Sequence, residues 1–197
     1  TMNNARLQMP IGAYDAVFWS ATGGGSGSVH AAATITNLMT YVTAGGRVFV
    51  TGYDSIASPP DPPLIGFLGG TGSIDVPGEP GAVINVANAL TTGVVDIRGV
   101  TPTGASSDRD SLTGAMAGTV IVVPTAGSTT EGQWTLRTLG TGLIAYVSNG
   151  DLGPESAHVS WTTTTPIAAG AYNAALRNFA RSASRANVLF VSDVDTD

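Results

Sequence analysis

The chain closes on Ser192-Asp-Val-Asp-Thr-Asp197, where Asp193, Asp195 and Asp197 alternate in the D-x-D-x-D order that opens a calcium loop. Hard carboxylate oxygens at that spacing suit Ca2+ or Mg2+, although the glycine and bidentate glutamate that complete such a loop would fall beyond Asp197. Asp54 supplies another acid, just after the apolar run Arg47-Val-Phe-Val-Thr51. If the strands that lead to Asp54 and Asp193 are neighbours in an open α/β sheet, their acids share the crevice where such sheets bind ligands. Asp54, Asp193 and Asp195 are therefore the candidate metal ligands. A solvated acidic loop is the plainer reading and is preferred.

Acid–base chemistry needs other side chains, and the chain has two histidines, His30 and His158. Either imidazole can serve as a general base, with Ser20, Ser26 or Ser160 as the nucleophile it would activate. No G-x-S-x-G elbow presents any of these serines, so ordinary loop histidines are the preferred reading. The run Gly23-Gly-Gly-Ser-Gly-Ser28 has the glycine content of a phosphate cradle but not its Gly-Lys-Ser/Thr ending, and reads as a flexible loop. Trp134 lies in a strand-like run and reads as core. Trp161, in the polar stretch Ser160-Trp-Thr-Thr-Thr-Thr165, is open to a sugar.

Positioning any of these groups takes a scaffold. Tyr14–Ser20 reads as a buried strand, and Ser28 is placed to cap the helix that follows, with Ile35, Leu38, Met39 and Val42 on one face. Gly45-Gly46 ends that helix, and Arg47–Thr51 is the next strand. Strand, crossover helix and strand in this order indicate a parallel sheet. Beyond it come a proline-broken excursion with a short helix after Asp61, and a helix or loop leading to a strand within Val83–Val100. A buried strand at Thr119–Val123 follows, then a hairpin over Gln133–Ser148 and a helix over Ala168–Ser184. The final apolar run, Val188-Leu-Phe-Val191, reads as a central strand.

Composition narrows the function classes. Of 197 residues 43% are apolar and only 11% charged, which fits a folded domain with a weakly charged surface. The net charge of −6, with no basic stripe, argues against nucleic acid and anionic membrane as partners. No apolar run reaches the ~20 residues of a membrane span. Absence of cysteine excludes disulfides, thiolate metal sites and a cysteine nucleophile. All eight basic residues are arginine, and the surface residues are mainly Gly, Thr, Ser and Ala, a composition that points to an extracellular or cell-surface setting.

Four segments, Tyr14-Asp-Ala-Val-Phe-Trp-Ser-Ala-Thr-Gly-Gly24, Tyr41–Ser55, Ala87–Ile97 and Trp134–Gly150, taken in order, resemble the class I glutamine-amidotransferase-like superfamily. The resemblance spans about Tyr14 to Phe179 and is nearest to divergent members related to ThuA-type proteins, including domains of large secreted bacterial proteins. It implies a flavodoxin-like fold. It also implies where a catalytic cysteine and histidine would stand, and this chain has Gly52-Tyr-Asp54 and Asn149-Gly-Asp151 there instead.

The expectation is thus a single α/β domain with a flavodoxin-like, mostly parallel sheet flanked by helices, an antiparallel hairpin and a permuted or exchanged terminal strand. Residues 1–54 and 187–197 would form the parallel core, 55–118 the irregular excursion, and 119–185 the strand, hairpin and last helix. The terminal strand Val188, Leu189, Phe190 and Val191 is expected between Tyr14–Ser20 and Arg47–Thr51, its side chains nearly all inaccessible, either in its own sheet or in a neighbour's. The functional expectation is a non-catalytic structural or interaction module, a repeat unit of a larger extracellular or cell-surface assembly that partners further copies of itself. The alternatives are a hydrolase using the acidic crevice or a histidine, and a carbohydrate-binding module. No cofactor is expected beyond the possible Ca2+ or Mg2+.

Overall fold

The computed structural model describes residues 5–21, 29–52, 55–56, 60–75, 83–100, 110–114, 118–122, 131–148, 168–183 and 187–192. In chain order the elements are α1 (Ala5–Gln8), β1 (Ala16–Ser20), α2 (Ala32–Thr43), β2 (Arg47–Thr51), α3 (Pro62–Leu68) and β3 (Gly72–Asp75). There follow β4 (Asp110–Thr113), β5 (Thr119–Val122), β6 (Trp134–Leu139), β7 (Gly142–Val147), α4 (Ala168–Ser182) and β8 (Val188–Ser192). Six strands form one sheet in the order β5-β6-β7-β2-β1-β8, and β3 and β4 pair separately. Only β6 runs against the other five, because the two-residue Gly140-Thr141 turn folds β6 back on β7. The sheet is therefore α/β and mostly parallel, as the strand–helix–strand pattern predicts.

Alternation along the strands splits the core into two layers. Val17, Trp19, Val48, Val50, Ile144 and Tyr146 face α1, α2 and α3. Ala16, Phe18, Phe49, Ala145, Val147 and Trp134 face α4 and the turn-rich segment 83–100. Trp134 is core, as its strand context suggests. That segment holds no strand, contrary to the expectation. Buried Asn178 of α4 explains its shape: Oδ1 accepts from the N–H groups of Val94 and Val95 at 2.8 and 2.9 Å, and Nδ2 donates to the carbonyls of Leu90 and Val95. One side chain thus satisfies backbone groups that a strand would have paired in a ladder.

The helix ends follow their sequence signals in two cases of three. Gly45 takes φ +107 after α2, the left-handed conformation that closes a helix with a glycine. Asp61 caps α3, its Oδ1 accepting from Leu64 N–H at 3.0 Å, while Arg137 donates to the Gly66 and Phe67 carbonyls at the other end. At α2 the expected cap Ser28 lies outside the described residues, and the N-cap position is held by Ala31, which offers no side-chain acceptor.

The terminal strand corrects the expectation. β8 lies in the chain's own sheet, parallel to β1, but outside it at the edge rather than between β1 and β2. The central slot does not exist, because β1 and β2, joined by the α2 crossover, pair directly from Ala16↔Arg47 to Ser20↔Thr51. Sequential strands joined by one helix are the usual neighbours. Burial is correspondingly one-sided. Leu189 and Val191 join the α2 face, whereas Val188 is half-buried and Phe190 is 60% exposed. Phe190 stacks on Phe18, which stacks on Phe49, at centroid separations of 5.2 and 5.4 Å. Phe179 of α4 packs edge-on against Phe18 and Phe49, so the helix covers β1 and β2 and leaves Phe190 open.

Candidate functional site

The carboxyl ends of β1, β2 and β7 are where a sheet of this kind conventionally binds ligands. Ser20, Thr51 and Ser148 stand there, all buried. Beside them His30 and Asp61 form a closed pair. Asp61 Oδ2 accepts from the His30 backbone N–H at 2.7 Å and lies 2.6 Å from His30 Nδ1, which donates to it. The two side chains are only 1% and 3% exposed. The His30 ring meets Trp19 edge-on, with centroids 4.6 Å apart. Burial pushes the Asp61 carboxyl up, but hydrogen bonds from the His30 ring, Leu64 N–H and His30 N–H, with the charge of His30, pull it below the ordinary carboxylate value.

A second buried carboxylate sits nearby on β4. Asp110 Oδ2 accepts from Ile56 N–H at 3.0 Å and lies 3.5 Å from Ser55 Oγ, while Tyr146 O–H donates to the Asp110 carbonyl at 3.3 Å. Buried Gln133 Nε2 and Ser111 Oγ have no hydrogen-bond partner among the described residues. The Tyr146 bond to the Asp110 carbonyl ties β4, and with it the β3–β4 pair, to the end of β7.

The turn after β2 is shaped against a nucleophile at its first position. Gly52 has φ +146, and a Cβ there would collide with the Ala21 carbonyl. Any side chain at 52 would break the approach of the two strand ends, so no thiol or hydroxyl fits at this residue.

The sequence candidates are distributed as follows. His30 and Ser20 are in place and buried. His158, Ser26, Ser160, Trp161, Asp54, Asp193 and Asp195 lie outside the described residues. Among the described residues no three acidic or histidine side chains converge on a metal position. Asp61 and Asp110 were not singled out as functional. Asp61 carried a signal, since an aspartate ahead of two prolines and an apolar run is a helix cap. Asp110 carried none, because its partners lie 36 and 54 or more positions away.

No protein-family model matches the chain, and no curated protein does. Solved structures do match. The β-galactosidase of Bacillus circulans sp. alkalophilus superposes with a TM-score of 0.52 at 13% identity, over 89% of this chain and 24% of that one. A cytoplasmic protein of Salmonella typhimurium LT2 gives the same TM-score at 12% identity, over 89% of this chain and 74% of the other. The chain thus spans about a quarter of the β-galactosidase. At these identities the likeness is one of fold.

Proposed function

We propose that this chain is a non-catalytic structural or interaction module of a larger extracellular or cell-surface assembly, built on the amidotransferase-like scaffold without its chemistry. The observation that carries the reading is the closure of the His30–Asp61 pair. Asp61 spends both carboxylate oxygens on His30 and on the first turn of α3, inside the protein. A base buried in this way anchors a loop to a helix and does not reach substrate. Gly52 supports the reading by excluding a side chain from the start of the nucleophile turn. The interaction surface is the β8 edge, which has no charge or proline within Val188–Ser192 to discourage pairing and carries exposed Phe190.

A hydrolase is the second reading. One observation favours it: an aspartate holding a histidine Nδ1 beside the carboxyl ends of β1 and β2 is the base half of a nucleophilic site. Assays with p-nitrophenyl glycosides and esters, together with analytical ultracentrifugation, separate the two. The module reading expects no turnover above buffer and reversible self-association that Phe190→Asp abolishes. Turnover that His30→Ala eliminates while the variant stays folded installs the hydrolase instead. For Asp54, Asp193 and Asp195, a raised melting temperature in Ca2+ or Mg2+ relative to chelator would establish a cation site by mass action. The preferred solvated loop expects no change.

A further inference from the structure

β8 closes one side of the six-stranded sheet, and no described strand lies beyond it. Along a strand, successive residues turn their backbone groups alternately to the two sides. The Asn187 carbonyl accepts from the Asp15 and Ala16 N–H groups at 2.8 and 3.4 Å, so Asn187 turns its backbone toward β1. By alternation Leu189 and Val191 do the same, and Val188, Phe190 and Ser192 turn theirs outward. The edge therefore presents a row of N–H donors and carbonyl acceptors in the order that an added strand requires.

That row is complementary to itself. In an antiparallel pair, residues that exchange both backbone bonds stand directly opposite each other. A two-fold axis at Phe190 sets Phe190 against the second copy's Phe190, and Val188 against its Ser192. Every outward N–H and carbonyl group of both strands is then used. The same register places Leu189 against Val191, residues that each copy buries in its α2-side core. On the other side α4 covers β1 and β2 and leaves Phe190 open, so the two Phe190 rings meet. They join the Phe49–Phe18–Phe190 stack of one copy to that of the other, and cross-strand aromatic pairs stabilise a sheet.

Charge selects the direction. Val188–Ser192 holds no charged residue, so nothing within the strand opposes its own copy. In sequence Arg181 and Arg185 precede the strand, and Asp193, Asp195 and Asp197 follow it. An antiparallel copy brings the arginine-bearing end of one strand to the aspartate-bearing end of the other, whereas a parallel copy sets like charges together. The far edge of the sheet is the poorer partner. β5 has four residues, and its pairing with β6 shifts register between Val120 and Val122, an irregularity of the kind that blunts an edge. A β8–β5 contact would be heterologous and could propagate, but a β8–β8 contact is isologous and stops at two copies.

We infer, resting on the choice of β8 as the interaction surface of the module, that this edge takes one second copy of the chain. Its β8 runs antiparallel to the first and is centred on Phe190, so the product is a closed dimer with a continuous sheet.

Sedimentation equilibrium of the full chain, carried to about 1 mM because two short strands make a small interface, should show monomer and dimer and nothing larger. Val188→Pro deletes an outward N–H at the first residue of an edge strand, where proline is tolerated. It removes a hydrogen bond from each end of the paired strands and should weaken the dimer by about tenfold or more, with the far-UV spectrum unchanged. The chain has no cysteine, so a single introduced thiol reports the register. Directly opposed residues of such a pair have Cα atoms about 5.5 Å apart, within disulfide reach, and residues out of register do not. Mild oxidation should link Phe190→Cys to its copy and leave Val188→Cys unlinked. A monomer at every concentration, species larger than a dimer, a dimer indifferent to Val188→Pro, or equal linking at 188 and 190 overturns the proposal. An inactive chain that gives any of these results keeps the non-catalytic reading, with a different surface or partner. Turnover of the glycosides or esters by an intact dimer does the opposite, overturning that reading and keeping the pairing.

Discussion

The two ends of the β1–β2 pair carry similar residue types in opposite states. At the carboxyl ends Ser20, His30, Thr51, Asp61 and Ser148 are buried, and Asp61 is committed to neighbours through both oxygens. At the amino ends Tyr14, Asp15 and Arg47 are half-buried around an open cavity. Burying a polar group is tolerable only when its partners are fixed, so a closed cluster becomes a structural joint. A half-solvated cluster incurs little such cost and can exchange water for ligand. Residue type alone does not separate a joint from a site. The difference lies in how much hydrogen-bonding capacity the fold has already used.

The sharpest way to break the comparison is Asp61→Ala. It removes the acceptor of three N–H groups, those of His30 N, His30 Nδ1 and Leu64 N, inside the protein. Removing one partner of such a buried pair costs about 3–5 kcal/mol. Urea unfolding should show a loss of unfolding free energy of that size. A loss below about 1 kcal/mol, the level of a solvent-exposed pair, would mean that the pair is not a joint.

Acid should act on the same joint with a defined sign. The Asp61 carboxyl is held below its ordinary value in the folded chain, so its contribution is complete above the unfolded value, about 3.9. It is lost as pH falls from there through the lower folded value. Asp61→Asn should therefore flatten the stability–pH curve below about pH 4 relative to the parent chain. Parallel curves for the two proteins would assign the acid sensitivity to other carboxylates.

What the sequence made legible follows the range of each interaction. The Gly45 end of α2, β1 and β2 and the β6–β7 hairpin all rest on patterns within a dozen or so residues, and they stand where the patterns put them. α3 was signalled by Asp61 and the prolines after it. β8 was recognised as a strand from Val188-Leu-Phe-Val191, but a continuous apolar run states only that both faces are hydrophobic. It does not state how many neighbours the strand has, and the direct β1–β2 pairing decides that at long range. His30 stood out by type, but its role is set by Asp61, 31 positions on. The amino-end cavity was not foreseen, because Asp15, Asn37 and Arg47 become neighbours only when α2 folds back beneath β1.

At the amino end, Tyr41→Phe probes the part of the cavity wall that is structural. The Tyr41 ring is buried against Gly46, where a Cβ would strike it, and its O–H donates to the Tyr14 carbonyl at 3.0 Å. Phenylalanine keeps the packing and deletes one partly buried hydrogen bond, worth about 1 kcal/mol. Thermal unfolding should register that modest loss. A loss as large as that of Asp61→Ala would make the amino end a joint as well and erase the contrast.

The smallest expected effect is the most discriminating. Asp15 is half-buried, and its one bond to the described backbone, from Asn187 N–H at 3.3 Å, is long. Asparagine is nearly isosteric and presents an amide oxygen to the same N–H, so Asp15→Asn leaves that contact in place. The variant loses only the charge of a side chain that lines the cavity. A substitution of this kind at a solvated position should change stability by no more than about 0.5 kcal/mol. The same pair of measurements on Asp61→Asn should show a clear loss near neutral pH, because that carboxylate accepts three hydrogen bonds, two through one oxygen, and an amide replaces one acceptor with a donor. If Asp15→Asn proved as damaging as Asp61→Asn, its other oxygen would be holding the fold, and the amino-end cavity would be a gap between structural parts rather than a place open to a ligand.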